Sequence, residues 1–311
     1  MLYVIRFKIA GLIFKLSSRY PKALKDGKEF LRRYEAFFYH GRKKADINIS
    51  VEVVKSFPDV SGKEIFVVHE PASGFERWRL WKNKDGYIFH CPMTDREVMA
   101  RVNRDFSLAR VYTLVCRNEF VWDPKDIIYD LMQVMLINHF SCRKKGLILH
   151  AAGIKERGQA LVFAGKSESG KSTTARLWNK YSKAVVLNDD RVLARKTKNG
   201  YRAYSGPWSG EFGHARRAVS DEAKLKALFI IEHAKKNFCR RLSGAQAFRF
   251  LYPVLFPVFW DAELMGNNLD LCQDLMKDVP VFRLGFVKNK KIISFVRQAV
   301  NEKIQLQEFQ P

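Results

Sequence analysis

The sequence predicts a mixed α/β protein in two parts: a smaller β-rich domain over residues 1–145 and an α/β core over residues 146–311. Three observations carry that prediction. Short alternating apolar–polar segments separated by turn residues fill the first third of the chain. The order strand, glycine loop, helix, strand follows between Leu147 and Leu187. Between them, the pattern changes at Lys144–Gly146, directly after an amphipathic stretch.

Taken in order, residues 1–20 read as one or two strands closing near Tyr20-Pro21, and Ile47–Lys55 alternates as another. Further strands are expected at Glu64–Glu70, Arg77–Trp81, Tyr87–His90 and Val111–Val115, punctuated by Pro71–Gly74 and Lys84-Asp85-Gly86. A helix is expected from Asp123-Pro124, where Asp caps open backbone N–H groups and Pro suits the first helical position. Ile127, Leu131, Val134 and Met135 continue it to about Phe140. Beyond Gly146, Leu147–Ile154 and Gly158–Gly165 read as two apolar strands, Ala175–Asn179 as helix and Ala184–Leu187 as a strand. Asp221–Ala234 reads as a helix-to-strand transition, 248–264 as an aromatic stretch broken by Pro253 and Pro257, and 266–277 as helix. Phe282–Phe286 and Ile292–Phe295 complete the expectation as short strands.

Composition narrows the function classes. The 311 residues carry 55 Lys and Arg against 32 Asp and Glu, a formal charge of +23. The excess is spread, with 27 basic and 17 acidic side chains before residue 146 and 28 and 15 after it. No basic arm, zinc-finger spacing or paired RNA-binding aromatic motif accompanies the charge, so no specific nucleic-acid partner is expected. The dense clusters, such as Lys235-Lys236 with Arg240-Arg241 and Lys288 with Lys290-Lys291, read as solvated faces or turns. No apolar, uncharged run reaches the ~18 residues of a membrane span, so membrane insertion is not expected. Five scattered cysteines fit neither a disulfide framework nor a CxxC metal site, which points to a reducing, cytoplasmic location.

The sharpest motif is Gly165-Lys166-Ser167-Glu168-Ser169-Gly170-Lys171-Ser172-Thr173, which satisfies G-x-x-x-x-G-K-[ST] between a strand and a helix. Such a loop presents backbone N–H groups and a helix N-terminus to phosphate oxygens. Its glycines permit close approach, its lysine reaches the β/γ-phosphates, and its serine ligates Mg²⁺. Glu168 is expected to point outward. ATP or GTP is the expected ligand. After the Ala184–Leu187 strand come Asp189 and Asp190, carboxylates suited to holding Mg²⁺ or accepting a hydroxyl proton, with helix capping or turn formation as the alternative. His150 closes an apolar stretch, where a histidine is more often a packed core group than a catalytic one.

The set His150-Ala-Ala-Gly153, Gly165–Thr173 and Asn188-Asp189-Asp190-Arg191 resembles the HPr kinase/phosphorylase-like family, and within it the compact relatives found with peptide-maturation genes, including lasso-peptide kinases. The resemblance implies a P-loop core of the phosphoenolpyruvate carboxykinase type, preceded by a domain unlike the regulatory domain of full HPr kinases and available for substrate recognition. It implies that Asp190 accepts the hydroxyl proton, with Asp189 supporting it or the metal. It places the family histidine on His150, the phosphate-binding lysine on Lys171 and the magnesium-binding hydroxyl on Ser172. Tyr204–Glu211 looks like the relatives' Pro-Trp loop and offers Glu211 as a second metal ligand. Arg216 or Arg217 would neutralise phosphoryl charge, although the family's downstream arginine motif has no clean counterpart. The implied activity is ATP- and Mg²⁺-dependent phosphorylation of a Ser or Thr hydroxyl on a peptide or protein. A small-molecule hydroxyl kinase and an ATP-binding regulatory or nucleic-acid-associated NTPase remain as alternatives. By analogy with hexameric HPr kinases, the resemblance leaves a homo-oligomer open.

Overall fold

The structure is a computed structural model that describes residues 1–20, 34–69, 76–93, 96–116, 119–120, 130–210 and 218–301. The chain divides into two compact units, Met1–Arg143 with Phe259–Ala262, and Lys144–Val258 with Glu263–Pro311. Each is built on one large sheet.

In the first unit, β1 (Tyr3–Ile9) and β2 (Leu12–Ser18) form a hairpin whose turn residues Ala10 and Gly11 both have positive φ, 49° and 74°. The sheet continues with β3 (Ile47–Val54), β4 (Lys63–His69), β5 (Glu76–Lys82), β6 (Gly86–Met93), β7 (Arg96–Asn103) and β8 (Leu108–Cys116), in the order β1-β2-β3-β8-β7-β6-β5-β4. A short β9 (Glu119–Phe120) pairs with β8. The expected strands are present. β7 lacked a sequence signal because charged residues such as Arg101 interrupt its apolar positions. Helix α1 (Met132–Cys142) follows; its expected start at Asp123-Pro124 lies outside the described residues. The Phe259–Ala262 segment, read in the sequence only as part of an aromatic stretch, gave no sign that it joins this unit. Within this unit Trp260 packs edge-on to Trp78, and buried Asp261 accepts hydrogen bonds from Lys82 and Tyr87.

The second unit is a three-layer arrangement. Its strands are β10 (Gly146–Glu156), β11 (Gln159–Ala164), β12 (Val185–Asn188), β13 (Arg191–Thr197), β14 (Gly200–Tyr204), β15 (Glu222–His233), β16 (Phe238–Leu242) and β17 (Val281–Phe286). They run in the order β11-β10-β13-β14-β15-β17-β16, with β12 also on β10 and β15 also pairing with β11. The helices are α2 (Lys171–Tyr181), α3 (Gly244–Leu251), α4 (Ala262–Asp278) and α5 (Lys291–Asn301).

The period of two in the strands divides the apolar side chains between two cores. Leu161, Phe163, Phe229, Ile231 and Phe282 pack with Ala175 and Trp178 of α2 and Ile292, Ile293 and Val296 of α5. The alternate residues Ala160, Val162, Ala164, Leu228, Ile230 and Val281 pack with Ala247 and Leu251 of α3 and Leu271 and Leu275 of α4. Both faces are covered, so the central strands are apolar throughout rather than alternating. Phe163, Phe229 and Phe282 sit opposite one another on neighbouring strands, with ring centroids 5.2 and 5.4 Å apart.

Two expectations fail here. Asp221–Ala234 holds no helix: β15 runs through it, with Lys224 and Lys226 exposed between buried Ala223, Leu225 and Ala227. Alanine and leucine favour helices in isolation, but pairing with β11, β14 and β17 decides the outcome. Ile292–Phe295 is helix, not strand. Its β-branched residues imitate a strand, while Ile292, Ile293, Val296 and Ala299 keep helical spacing and form one buried face. Strands β13, β14 and β16 had not been anticipated.

The phenylalanine stack sets a test of the second unit's core. Phe229 is fully buried between two rings, so Phe229→Ala should destabilise the unit by about 3–5 kcal/mol in urea unfolding, whereas Lys226→Ala on the same strand should change stability by less than about 0.5 kcal/mol.

Candidate functional site

Strand β10 is bonded on both edges, and this aligns three distant stretches of sequence. On one edge Ala151 is paired with Ala164, the last residue of β11, so the Gly165–Gly170 loop begins level with Ala151. On the other edge Asn188 ends β12 opposite Gly153, and Arg191 starts β13 opposite His150. Asp189 and Asp190 lie between them, and the Ala151 N–H donates to the Asp190 carbonyl at 2.9 Å. The loop, His150 and the two aspartates therefore share one end of the sheet.

The loop is tightly folded. Gly170 has φ 101° and lies against the Phe286 ring where a Cβ would have to sit, so a side chain is excluded on both counts. Glu168 also has positive φ, 62°, and its carbonyl lies 3.0 Å from His233 Nε2. Gly165 and Lys171 are buried, while Lys166, Ser167 and Glu168 are exposed. Ser169 closes a turn onto the Lys166 carbonyl, and its buried hydroxyl has no hydrogen-bond partner among the described residues. Lys171 Nζ donates to the Gly165 and Lys166 carbonyls at 3.0 and 2.8 Å. Burial pulls the Lys171 pKa down, and the Asp190 charge only partly restores it. Helix α2 begins at Gly170 with no side-chain cap and no acidic residue in its first turn, leaving its first N–H groups, with the hydroxyls of Ser172 and Thr173, at an electropositive end.

Across from the loop, Asn188 organises the carboxylates. Its amide oxygen accepts from the Asp190 and Arg191 N–H groups, both at 2.9 Å, and its amide nitrogen donates to the Gly206 and Trp208 carbonyls. Asn188 thus ties the aspartate turn to the Pro207-Trp208 segment, where Trp208 is fully buried. Asp189 is buried and accepts from the Gly210 N–H at 2.9 Å; Gly210 has no room for a Cβ beside it. Asp190 is oriented by His150, whose Nε2 lies 3.2 Å from Oδ1, and by Arg191, whose Nε lies 3.5 Å from Oδ2. Arg191 stacks on Phe256, which also flanks the His150 ring.

Of the residues singled out in the sequence, Gly165–Thr173, His150, Asp189 and Asp190 stand together, whereas Glu211, Arg216 and Arg217 lie outside the described residues. Asn188, Arg191, Phe256 and His233 had no assigned role. Asn188 was detectable, since Asn two residues before a backbone turn is an Asx-turn pattern; Phe256 and His233 come in from distant sequence and carry no local signal.

The open N–H groups, the lysine amine and the hydroxyls suit an oxyanion. Ser172 and the aspartates are hard oxygen donors. Among the described residues no group of three or more His, Cys, Asp or Glu could hold a metal by itself. Such a donor set fits Mg²⁺, which keeps several waters and binds through one or two carboxylates plus phosphate oxygens.

Burial opposes ionisation of Asp190, but the His150 hydrogen bond and the charges of Arg191 and Lys171 outweigh it and hold its pKa below the usual carboxylate range. Its stabilising contribution is therefore fully present above the unfolded carboxylate value and fades as pH falls through the lowered folded value. The thermal midpoint of the wild type relative to Asp190→Asn should fall between about pH 5 and about pH 2; a gap that stays constant or widens over that range would contradict the ion-pair geometry.

No curated protein matches the chain. Among solved structures it is similar to the Hpr(Ser) kinase/phosphatase from Coxiella burnetii, at 12% identity and TM-score 0.29 over 49% of this chain and 95% of that one. A family model described as SynChlorMet cassette protein ScmC matches residues 114–288, from the end of β8 past β17 and over the whole of the site. The match covers more than half of the protein, and the chain belongs to the ScmC family of SynChlorMet cassette proteins.

Proposed function

We propose that this protein transfers the γ-phosphate of ATP to a serine or threonine hydroxyl of a peptide or protein. One observation carries the reading: a carboxylate held ionised by His150 and Arg191 faces, across β10, a glycine loop whose buried lysine has, among the described residues, only its own loop carbonyls as hydrogen-bond partners. A lysine so placed exchanges two carbonyl contacts for phosphate oxygens when a nucleotide enters, and the uncapped start of α2 receives the same charge. Asp190, ionised at neutral pH, takes the proton of the incoming hydroxyl as its oxygen bonds to the γ-phosphorus and the bond from that phosphorus to the β–γ bridging oxygen breaks, releasing ADP. His150 keeps the carboxylate aimed, and Lys171 balances charge on the transferring group. A Mg²⁺ ion, when bound, would neutralise charge between the β- and γ-phosphates, with Ser172 and Asp189 as its protein ligands and Glu211 as a further candidate. The same parts would serve a small-molecule hydroxyl, so acceptor identity is what the experiment must decide. The family's description as a cassette protein directs the search first to polypeptides encoded beside it.

With γ-labelled ATP and such candidate polypeptides, label should move to a Ser or Thr located by mass spectrometry. Asp190→Asn should bind ATP within about twofold of wild type yet transfer about 10²–10⁴ times more slowly. Transfer at the wild-type rate would remove Asp190 as proton acceptor, and label moving only to small hydroxyl compounds would select the alternative substrate class.

A further inference from the structure

Strands β11, β15 and β17 are parallel, so their carboxyl ends lie together, with Ala164 beside Ile230 and His233 beside Phe286. Two loops leave this end next to the glycine loop, which His233 contacts at the Glu168 carbonyl and Phe286 underlies at Gly170. The first loop carries Lys235 and Lys236, the second Lys288 and Lys290 with Lys291 following at the start of α5, and all five are exposed. The loops are joined to each other: Ala234 N–H donates to the Phe286 carbonyl, and Val287 N–H to Asn237 Oδ1 at 2.8 Å. The lysines are thus held on one rim instead of diverging.

Among the described residues the rim's lysines have no carboxylate partner: of the nearest carboxylates, Glu232 pairs with Arg283 and Glu168 belongs to the glycine loop. The segments 233–242 and 286–301 contain no Asp or Glu, and none of the five lysines is in an ion pair among the described residues, although thirteen pairs form elsewhere, from Arg79–Glu64 to Arg297–Glu156. Lys291 also starts α5, where the helix dipole disfavours a cation. Clustered like charges against a positive helix end oppose folding. They are explained if a negative partner completes them.

We propose that this lysine rim docks an acidic segment of the polypeptide substrate, whose Asp and Glu side chains lie some residues away from the hydroxyl that is phosphorylated, since β11 separates β15 and β17 from the β10 strand beside Asp190. The word substrate rests on the kinase reading; the acidic docking surface itself does not. Two short loops make a compact patch rather than a track along a nucleic-acid backbone, and it adjoins the glycine loop. Exposed Phe238 on the neighbouring β16, under the guanidinium of Arg283 on β17, adds an apolar contact at its edge.

The test uses the full-length protein and a fluorescein-labelled, Ser-containing peptide rich in Asp and Glu, beside the same peptide with those residues changed to Asn and Gln. By fluorescence anisotropy the acidic peptide should bind about tenfold or more tightly than its amide counterpart, and the preference should shrink with added salt. Changing Lys235→Gln with Lys236→Gln, or Lys288→Gln with Lys290→Gln, should remove most of that preference while leaving ATP affinity within about twofold and the melting temperature unchanged or slightly raised. The proposal is overturned if either pair binds the acidic peptide like wild type, if neither peptide binds, or if ATP affinity falls by the same factor, which would assign the rim to the nucleotide. It also fails if single-stranded DNA or phosphatidylserine vesicles bind these lysines more tightly than the peptide does. Loss of the kinase reading shows separately, as absent phosphate transfer with peptide binding intact.

Discussion

The site depends on the double edge of β10. A strand bonded on both sides fixes the height of whatever follows its partners, and here one partner runs into the glycine loop while the other is interrupted by Asp189-Asp190. The register places Ala151 between the end of β11 and the Asp190 carbonyl, with His150 one residue earlier on the same strand. A one-residue slip of β10 would turn His150 to the opposite face and part it from Asp190. The core prevents this, because Leu147, Leu149 and Ala151 point into one apolar layer and Ala152 and Ile154 into the other.

Around that register, polar groups are matched closely. Asn188 uses its amide oxygen and nitrogen on four backbone groups, which fixes the aspartate turn and the Gly206–Trp208 segment as one piece. Asp190 receives its orientation from two basic side chains, one of them stacked on an aromatic ring. Lys171 is the contrasting case. It is buried, its pKa is lowered by that burial, and its contacts are carbonyls of its own loop. A cation held by neutral acceptors gains more from an anion than one already neutralised by a carboxylate. The site is therefore charged with direction: an ionised carboxylate on one side and an under-compensated amine with an open helix start on the other.

Much of this arrangement was legible in the sequence, for definite reasons. Glycines at 165 and 170 with Lys171 after them state a backbone geometry, and the flanking apolar runs supplied its strand and helix. The alternating segments of the first unit were legible wherever turn residues bounded them, and β7 was missed where charged side chains blurred the alternation. Errors gathered where tertiary pairing overrides local preference, as in the Ala- and Leu-rich β15, or where β-branched residues occupy a helix, as in α5. The supporting cast of the site was least legible. Phe256 and His233 reach it from distant elements, and only the fold places them there. The lysine clusters were visible as clusters, but their convergence beside the loop depends on the parallel ends of β15 and β17.

The central claim is that the Gly165–Thr173 loop binds nucleotide phosphate through Lys171 and the start of α2. Calorimetric titration of the full-length protein with ATP and Mg²⁺ tests it most directly, with Lys171→Ala as the comparison. The account predicts one nucleotide per chain, with affinity lowered about tenfold or more by the substitution while the melting temperature without ligand is retained. Equal affinity in the two proteins, or no binding to the wild type, would contradict it.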